Sequence, residues 1–243
     1  MNELRPFTSV IVPVHNVQKT VAKVVSTLLA SDLVDEVVCV DDGSTDDSLS
    51  ILRSFGRKIV LIEPVLTQHR GTAGAIAEGV WKANGTIVVF VDAGLTTLSE
   101  DHLRALVEPL DRGAARAVLG SPAGGSIFSV FVARLTGSRF TRERAYLRAD
   151  LLRHLLPMAR TEFSVEVYLN GLFKKEEVTV VPLAGLQRPG RQARHARLGA
   201  AREYLGGAVE VTTAIFRRSL VRHGPVDPRS RATPRRSHRH GWP

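Results

Sequence analysis

Over the first 120 positions, short unbroken apolar runs alternate with stretches of helical spacing. The runs are "TSVIVPV" (8–14), "DEVVCVD" (35–41), "KIVLIEPV" (58–65) and "TIVVFVDA" (86–93). They are β-branched and scarcely alternate with polar residues, which predicts strands buried on both faces. Between them, "VAKVVSTLLA" (21–30) repeats apolar residues at helical spacing, and "STDDSLSILRSF" (44–55) opens on capping residues before a helical pattern. "GTAGAIAEGVWKANG" (71–85) is a third helical stretch, and "SEDHLRALVEPL" (99–110) starts on a serine cap. Strands alternating with helices in this way predict an α/β fold with right-handed crossovers and a mostly parallel sheet.

After "RAVLG" (116–120) the rhythm changes. "SPAGGS" (121–126) reads as a turn-rich break, and "FSVFVARLTGSRF" (128–140) as helical. "ERAYLRADLLRHLLP" (143–157) reads as a strand running into a helix, "EFSVEVYLNGLFKKE" (162–176) as a helix, and "EVTVVPLAGL" (177–186) as a strand. Residues 198–222 form an amphipathic helical pattern, and 224–243, rich in Pro, Arg and Ser, are expected to be a disordered basic tail. No internal repeat is present.

Charge divides the chain unevenly. The net charge is +9, yet residues 188–243 hold 13 Arg against 3 acids while residues 1–187 hold 20 Lys and Arg against 21 acids. The basicity therefore belongs to the C-terminal quarter and not to the main domain. No recognition-helix, zinc-ligand or aromatic-stacking pattern accompanies it, so nucleic acid is not an expected partner. Cys39 is the single cysteine and lies inside an apolar run. It reads as a buried thiol in a reducing compartment rather than a nucleophile. The N-terminus has no signal-peptide pattern, and no run reaches the ~20 apolar residues of a spanning helix.

Candidate chemistry sits at the ends of the strands. Open α/β sheets place ligands outside the carboxyl ends of their strands. There the chain carries Pro13, His15 and Asn16 after the first run, Asp41, Asp42 and Gly43 after the second, and Asp92 and Ala93 after the fourth. The paired acids suit a nucleotide's ribose or base, and equally a strand-to-helix turn capped by Ser44 or Asp46. The "HRGTAG" stretch, with Arg70 and Gly71, offers a glycine-containing approach to a helix that suits phosphates or close helix–sheet packing.

Taken in order, "SVIVPVHN", "VVCVDDGSTDDS" and "HRGTAGAIAEGVWKANGTIVVFVDAGL" resemble the family 2 glycosyltransferases of bacterial type. "LTGSRFTRERAYLRADLL" and "FSVEVYLNGL" resemble their acceptor-side segments, so the likeness covers about residues 8–220. The resemblance implies a GT-A fold: a Rossmann-like, mostly parallel central sheet flanked by helices, with a C-terminal acceptor-side extension. It implies one domain over 1–223, with a nucleotide-sugar-binding half at 8–112 and an acceptor-side half at 113–223. The implied activity is inverting transfer of a sugar from a UDP- or GDP-linked donor to an acceptor hydroxyl or phosphate. Polyprenyl phosphate or another lipid is an acceptor of the expected kind, in cell-envelope or polysaccharide synthesis.

The resemblance also implies residue roles. Pro13, His15, Asn16, Asp41, Asp42, Gly43, Arg70, Gly71, Asp92 and Ala93 would line the nucleotide-sugar site. Asp92 would hold Mg²⁺ or Mn²⁺ against the diphosphate, with Thr96 or His195 as a further ligand. Glu166 would be the catalytic base, with Glu162 in reserve. Apart from the resemblance, Arg139, Arg142 and Arg144 read equally as a site for an acceptor phosphate and as a solvated basic face, and Arg188 as a partner for a phosphate. The implied setting is cytoplasmic, with peripheral contact to an anionic membrane face through the C-terminal region as a second reading.

The chain departs from the family pattern at one telling place. The second acid of the "DAD" metal motif falls at Gly94, and Val17, His69 and Thr72 replace three other usual residues. Three explanations follow: Asp92 holds the ion alone, arginines neutralise the diphosphate instead, or the chain is an inactive nucleotide-sugar-binding or scaffold relative. A nucleotidyltransferase is disfavoured, because its glycine-rich loop after the first strand is here "VPVHN".

Overall fold

The computed structural model describes residues 5–63, 71–123, 141–161 and 165–188, all within one compact unit, Met1–Gly190. In chain order the elements are β1 (Thr8–Val14), α1 (Val21–Leu29), β2 (Glu36–Asp41), α2 (Ser48–Ser54), β3 (Val60–Ile62), α3 (Gly71–Lys82) and β4 (Ile87–Phe90). They continue with α4 (Glu100–Asp111), β5 (Ala117–Ala123), β6 (Arg144–Leu147), α5 (Arg148–Leu152), α6 (Leu155–Ala159), α7 (Val165–Asn170) and β7 (Val178–Ala184). The expected helices at 128–140 and 198–222, and the expected tail, lie outside the described residues.

The described strands form one sheet in the order β3-β2-β1-β4-β6-β5-β7. Pairing is parallel from β3 through β4 and between β5 and β7; β6 runs antiparallel to both neighbours. The chain moves outward from β1 to β3 and then returns to place β4 on the other side of β1. The carboxyl ends of β1 and β4 therefore flank a topological switch point, where such sheets bind ligands.

Strand alternation sorts the core into two faces. Val10, Val12 and Val14 of β1, with Val89 and Val91 along β4, pack with Val24, Val25 and Leu28 of α1 and Leu103, Leu106 and Leu110 of α4. Ile11, Val38, Val88 and Phe90 face the other way, onto Ile76 and Val80 of α3, Leu151 of α5 and Met158 of α6. Both faces are covered, which is why the sequence shows apolar runs instead of alternation. Cys39 is wholly buried in the first core, and burial pushes its thiol up to about 12, so no thiolate is present to act as a nucleophile.

Three local expectations are corrected. Ser121–Ala123 are not a turn but the end of β5, paired in parallel with Pro182–Ala184 of β7. β6 pairs with β5 only as far as Leu119, so Pro122 lies where the strand has one neighbour and its missing N–H is tolerated. The helix expected over 162–176 is confined, among the described residues, to α7. It closes with the Gly171 and Leu172 amides donating to Tyr168 and Leu169, and a short 3₁₀ turn follows at Lys175–Glu177. Helix α2 begins at Ser48, with Asp46 Oδ1 accepting from the Ser48 amide at 3.0 Å.

Candidate active site

The loops after β1 and β2 brace each other. Asn16 adopts a left-handed conformation, φ 53°, which asparagine tolerates better than most residues. Its Oδ1 accepts from the Thr45 amide at 2.8 Å, and its own amide donates to Ser44 Oγ at 3.1 Å. His15 Nδ1 lies 3.1 Å from the Asp42 carbonyl oxygen. His15 and Asn16 thus hold the wall of the site together from exposed positions.

The paired acids have different surroundings. Asp41 Oδ2 accepts from the amides of Gly43 (3.2 Å) and Ser44 (3.1 Å), in a turn that Gly43 permits through φ 79°. Asp41 Oδ1 is buried with no hydrogen-bond partner among the described residues. Asp42, also buried, lines a cleft of about 260 Å³ together with Pro13, His15, Asp92, Arg142 and Glu166. Thr72, at the start of α3, lines the same cleft.

Asp92 follows β4 at the switch point. Its Oδ1 accepts from the Gly94 amide at 2.8 Å. Its Oδ2 accepts from Arg142 Nη1 at 2.9 Å and Arg188 Nε at 3.1 Å. Burial by itself would push this carboxyl up, but the Gly94 amide and the charges of Arg142 and Arg188 outweigh it and hold the group below the usual carboxylate range.

Sheet geometry delivers both arginines. The antiparallel register sets Phe90 against Arg144, and two residues further along, that register brings Arg142 to Asp92. Arg188 arrives through the segment after β7. His102 Nε2 bonds the Ala184 carbonyl at 2.8 Å, Thr97 Oγ1 donates to the Gly185 carbonyl at 2.6 Å, and the Thr96 amide and hydroxyl both donate to the Gln187 carbonyl. Since His102 Nδ1 accepts from the Ser99 amide, its Nε2 is the protonated nitrogen that donates to Ala184.

Glu143 was not among the expected site residues, yet its side chain is 3% exposed and takes Arg188 Nη2 on both oxygens, at 2.6 and 2.8 Å. The one hint in the sequence is its place between two arginines. Asp92, Arg142, Arg188 and Glu143 form one hydrogen-bonded chain at the cleft mouth.

Other expected residues fall elsewhere. Arg144 is not available to an acceptor: it is 1% exposed, donating from Nε to the Thr141 carbonyl and from Nη1 to Asn170 Oδ1. Its position in β6, flanked by β4 and β5, draws it into the core. Ala93 packs with Val89 and Val91 in the first core and is not among the residues that line the cleft. Thr96 is turned to Gln187 and is not among the cleft's lining residues. Gly71 begins α3 with φ 72°. Arg70, Arg139, Glu162 and His195 lie outside the described residues. Glu166 sits half-buried on the first turn of α7, on the cleft.

The arrangement is that of an α/β protein with a cleft lined by acids and an arginine at the switch point of its sheet. The chain belongs to glycosyl transferase family 2, whose model matches residues 9–165. The undecaprenyl-phosphate 4-deoxy-4-formamido-L-arabinose transferase of Edwardsiella ictaluri is 36% identical over 115 residues, 44% of this chain and 34% of that protein. The 4,4'-diaponeurosporenoate glycosyltransferase of Staphylococcus aureus (strain MRSA252) is 28% identical over 100 residues, 41% of this chain and 27% of that protein. These matches thus span about a third or less of each curated relative's length.

Glucosyl-3-phosphoglycerate synthase of Mycobacterium tuberculosis, solved with Mg²⁺ and uridine diphosphate, superposes with a TM-score of 0.62 at 20% identity, over 92% of this chain and 81% of that one. Its structure with Mn²⁺ and UDP-glucose gives a TM-score of 0.60 at 22% identity, over 84% and 78%. These likenesses show the shared GT-A fold. Among the described residues no helix is long and apolar enough to cross a membrane.

Proposed function

We propose that this chain binds a nucleoside-diphosphate sugar in the cleft beside β1, β2 and β4 and transfers the sugar to an acceptor. The carrying observation is that Asp42, Asp92, Arg142 and Glu166, from four separate segments, meet on one cleft at the switch point. The buried, unpartnered Oδ1 of Asp41 supports a nucleoside nearby. Leaving such an atom unsatisfied costs about 1–3 kcal/mol, which a ribose hydroxyl or base N–H donating to it would offset. His15 and Asp42 line the nucleoside end, and Asp92 with its arginines marks the diphosphate end.

Glu166 is the base in this reading. An acceptor hydroxyl attacking the anomeric carbon must lose its proton, and the Glu166 carboxylate, on the first turn of α7, lines the same cleft as Asp92 and Arg142. Attack from the face opposite the leaving diphosphate inverts the anomeric centre, as expected of family 2. A phosphate acceptor, the kind named for the Edwardsiella relative, is already anionic and leaves Glu166 no proton to take. The cleft therefore favours a hydroxyl acceptor.

The cation named with the solved relatives meets a poor donor set here. Among the described residues no group of three His, Cys, Asp or Glu converges on a point, and Gly94 has no side chain to offer. Both Asp92 oxygens already accept hydrogen bonds, two of them from guanidiniums that would repel a second cation. The described residues do not fit a divalent ion, and no step is assigned to one.

Calorimetric titration of UDP and GDP into wild type and Asp42→Ala tests the reading. One nucleotide binding to wild type, and at least about tenfold more weakly to the variant, supports it. Wild type that binds neither refutes it.

A further inference from the structure

We propose that the guanidiniums of Arg142 and Arg188 stand beside the donor diphosphate in place of a divalent cation, with Asp92 and Glu143 as positioning residues that hold them there. The inference rests on the donor-binding reading above and specifies which side chains hold the negative end of the donor.

The cluster has the connectivity such a role requires. Arg188 spends Nε on Asp92 and Nη2 on both oxygens of Glu143. Two carboxylates therefore grip one edge of its guanidinium, and the Nη1 end carries no carboxylate among the described residues. Its side chain is still 41% exposed, so that end is reachable. Arg142 commits only Nη1 to Asp92, is 63% exposed, and lines the cleft. Arg188 is held along one edge and Arg142 through Nη1, and among the described residues their remaining donors carry no carboxylate hydrogen bond. The planar fork of an arginine matches paired phosphate oxygens, which gives orientation as well as charge.

A divalent ion at Asp92 would have to displace these bonds. Oxygen-ligated Mg²⁺ or Mn²⁺ would sit roughly 2 Å from Oδ2, the oxygen on which both arginines already converge at 2.9 and 3.1 Å. The repulsion from two adjacent guanidiniums opposes that exchange, and position 94 supplies no second carboxylate to offset it. The two carboxylates offset the two arginines in net charge, so the cluster acts on the incoming diphosphate through oriented hydrogen-bond donors, chiefly those of Arg142, the more exposed of the pair.

The test is calorimetry of UDP, GDP and the matching nucleosides, in EDTA and in saturating Mn²⁺, with wild type, Arg142→Gln, Arg142→Lys, Arg188→Gln, Glu143→Gln and Asp92→Asn. Arg142 is exposed, so its variants keep the fold, which thermal melts verify. The inference predicts diphosphate affinity in EDTA within about twofold of that in Mn²⁺, and a loss of about tenfold or more in EDTA for Arg142→Gln and Arg188→Gln, the scale of a charge-assisted hydrogen bond. Nucleoside affinity stays unchanged in both variants, and Arg142→Lys restores part of the loss. Glu143→Gln, which touches no ligand, lowers diphosphate affinity in EDTA without altering nucleoside affinity. A gain of tenfold or more on adding Mn²⁺, abolished by Asp92→Asn, overturns the inference and leaves the donor-binding reading standing. Wild type that binds no diphosphate in either condition overturns both.

Discussion

Arg142 donates from Nη1 to Asp92 Oδ2 at 2.9 Å across fifty residues of chain, tying the end of β4 to the approach to β6. The acid at the switch point is thereby joined to the antiparallel strand that departs from a purely parallel sheet. The same oxygen receives Arg188 from beyond β7, so three separated segments meet at one carboxylate. Disturbing Asp92 should be felt in folding as well as in ligand binding.

The acid dependence of stability follows from that environment. Despite burial, the Gly94 amide and the two arginines hold the folded Asp92 carboxyl below its ordinary value. A depressed carboxylate contributes stability above its unfolded pKa, about 4, and loses it as pH falls through the lower folded value. Urea denaturation between about pH 3 and pH 7 should therefore show a steeper acid loss in wild type than in Asp92→Asn. Parallel profiles would contradict the assigned environment.

Arg144 provides a contrast with its neighbour Arg142. Its guanidinium is bonded inside the core to the Thr141 carbonyl, Tyr146 hydroxyl and Asn170 amide oxygen. Arg144→Met should destabilise the protein by about 2–4 kcal/mol, because those acceptors are left buried and unpaired. Nucleotide affinity of the folded fraction should stay near wild type. Denaturant midpoints and calorimetry on the same sample separate the two effects.

These two arginines also show what the sequence carried and what it withheld. Strand alternation places Arg142 and Arg144 on one face but says nothing of depth, and depth makes one a cleft-lining residue and the other a core residue. The strands were legible because burial on both faces writes them as apolar runs, and Ser99 marked the start of α4. The acids Asp41, Asp42 and Asp92 were legible as residues at the carboxyl edge of the sheet, because each closes or follows an apolar run. The order β4-β6-β5-β7 was not, since nothing local distinguishes an antiparallel insertion. Glu143 was missed for the same reason: its importance comes from Arg188, 45 residues away.

Gly85 tests the packing at the amino ends of β1 and β4, the edge of the sheet away from the cleft. A Cβ there would lie 2.6 Å from the Ser9 backbone nitrogen and 2.8 Å from the Ile87 carbonyl oxygen. Neither backbone atom moves without shifting β1 or β4. Gly85→Ala should cost about 1–3 kcal/mol, measured as a lower urea midpoint, and should leave nucleotide binding in the folded protein near wild type.

The most direct test of the central claim is release of nucleoside diphosphate from UDP- and GDP-sugars in the presence of hydroxyl acceptors, comparing wild type with Glu166→Gln. The account predicts turnover with one donor class, a fall of about 10²–10⁴-fold in the variant, as for loss of a general base, and a donor affinity left near wild type. A folded wild type that binds the donor but releases nothing, or a Glu166→Gln protein that turns over at the wild-type rate, would contradict it.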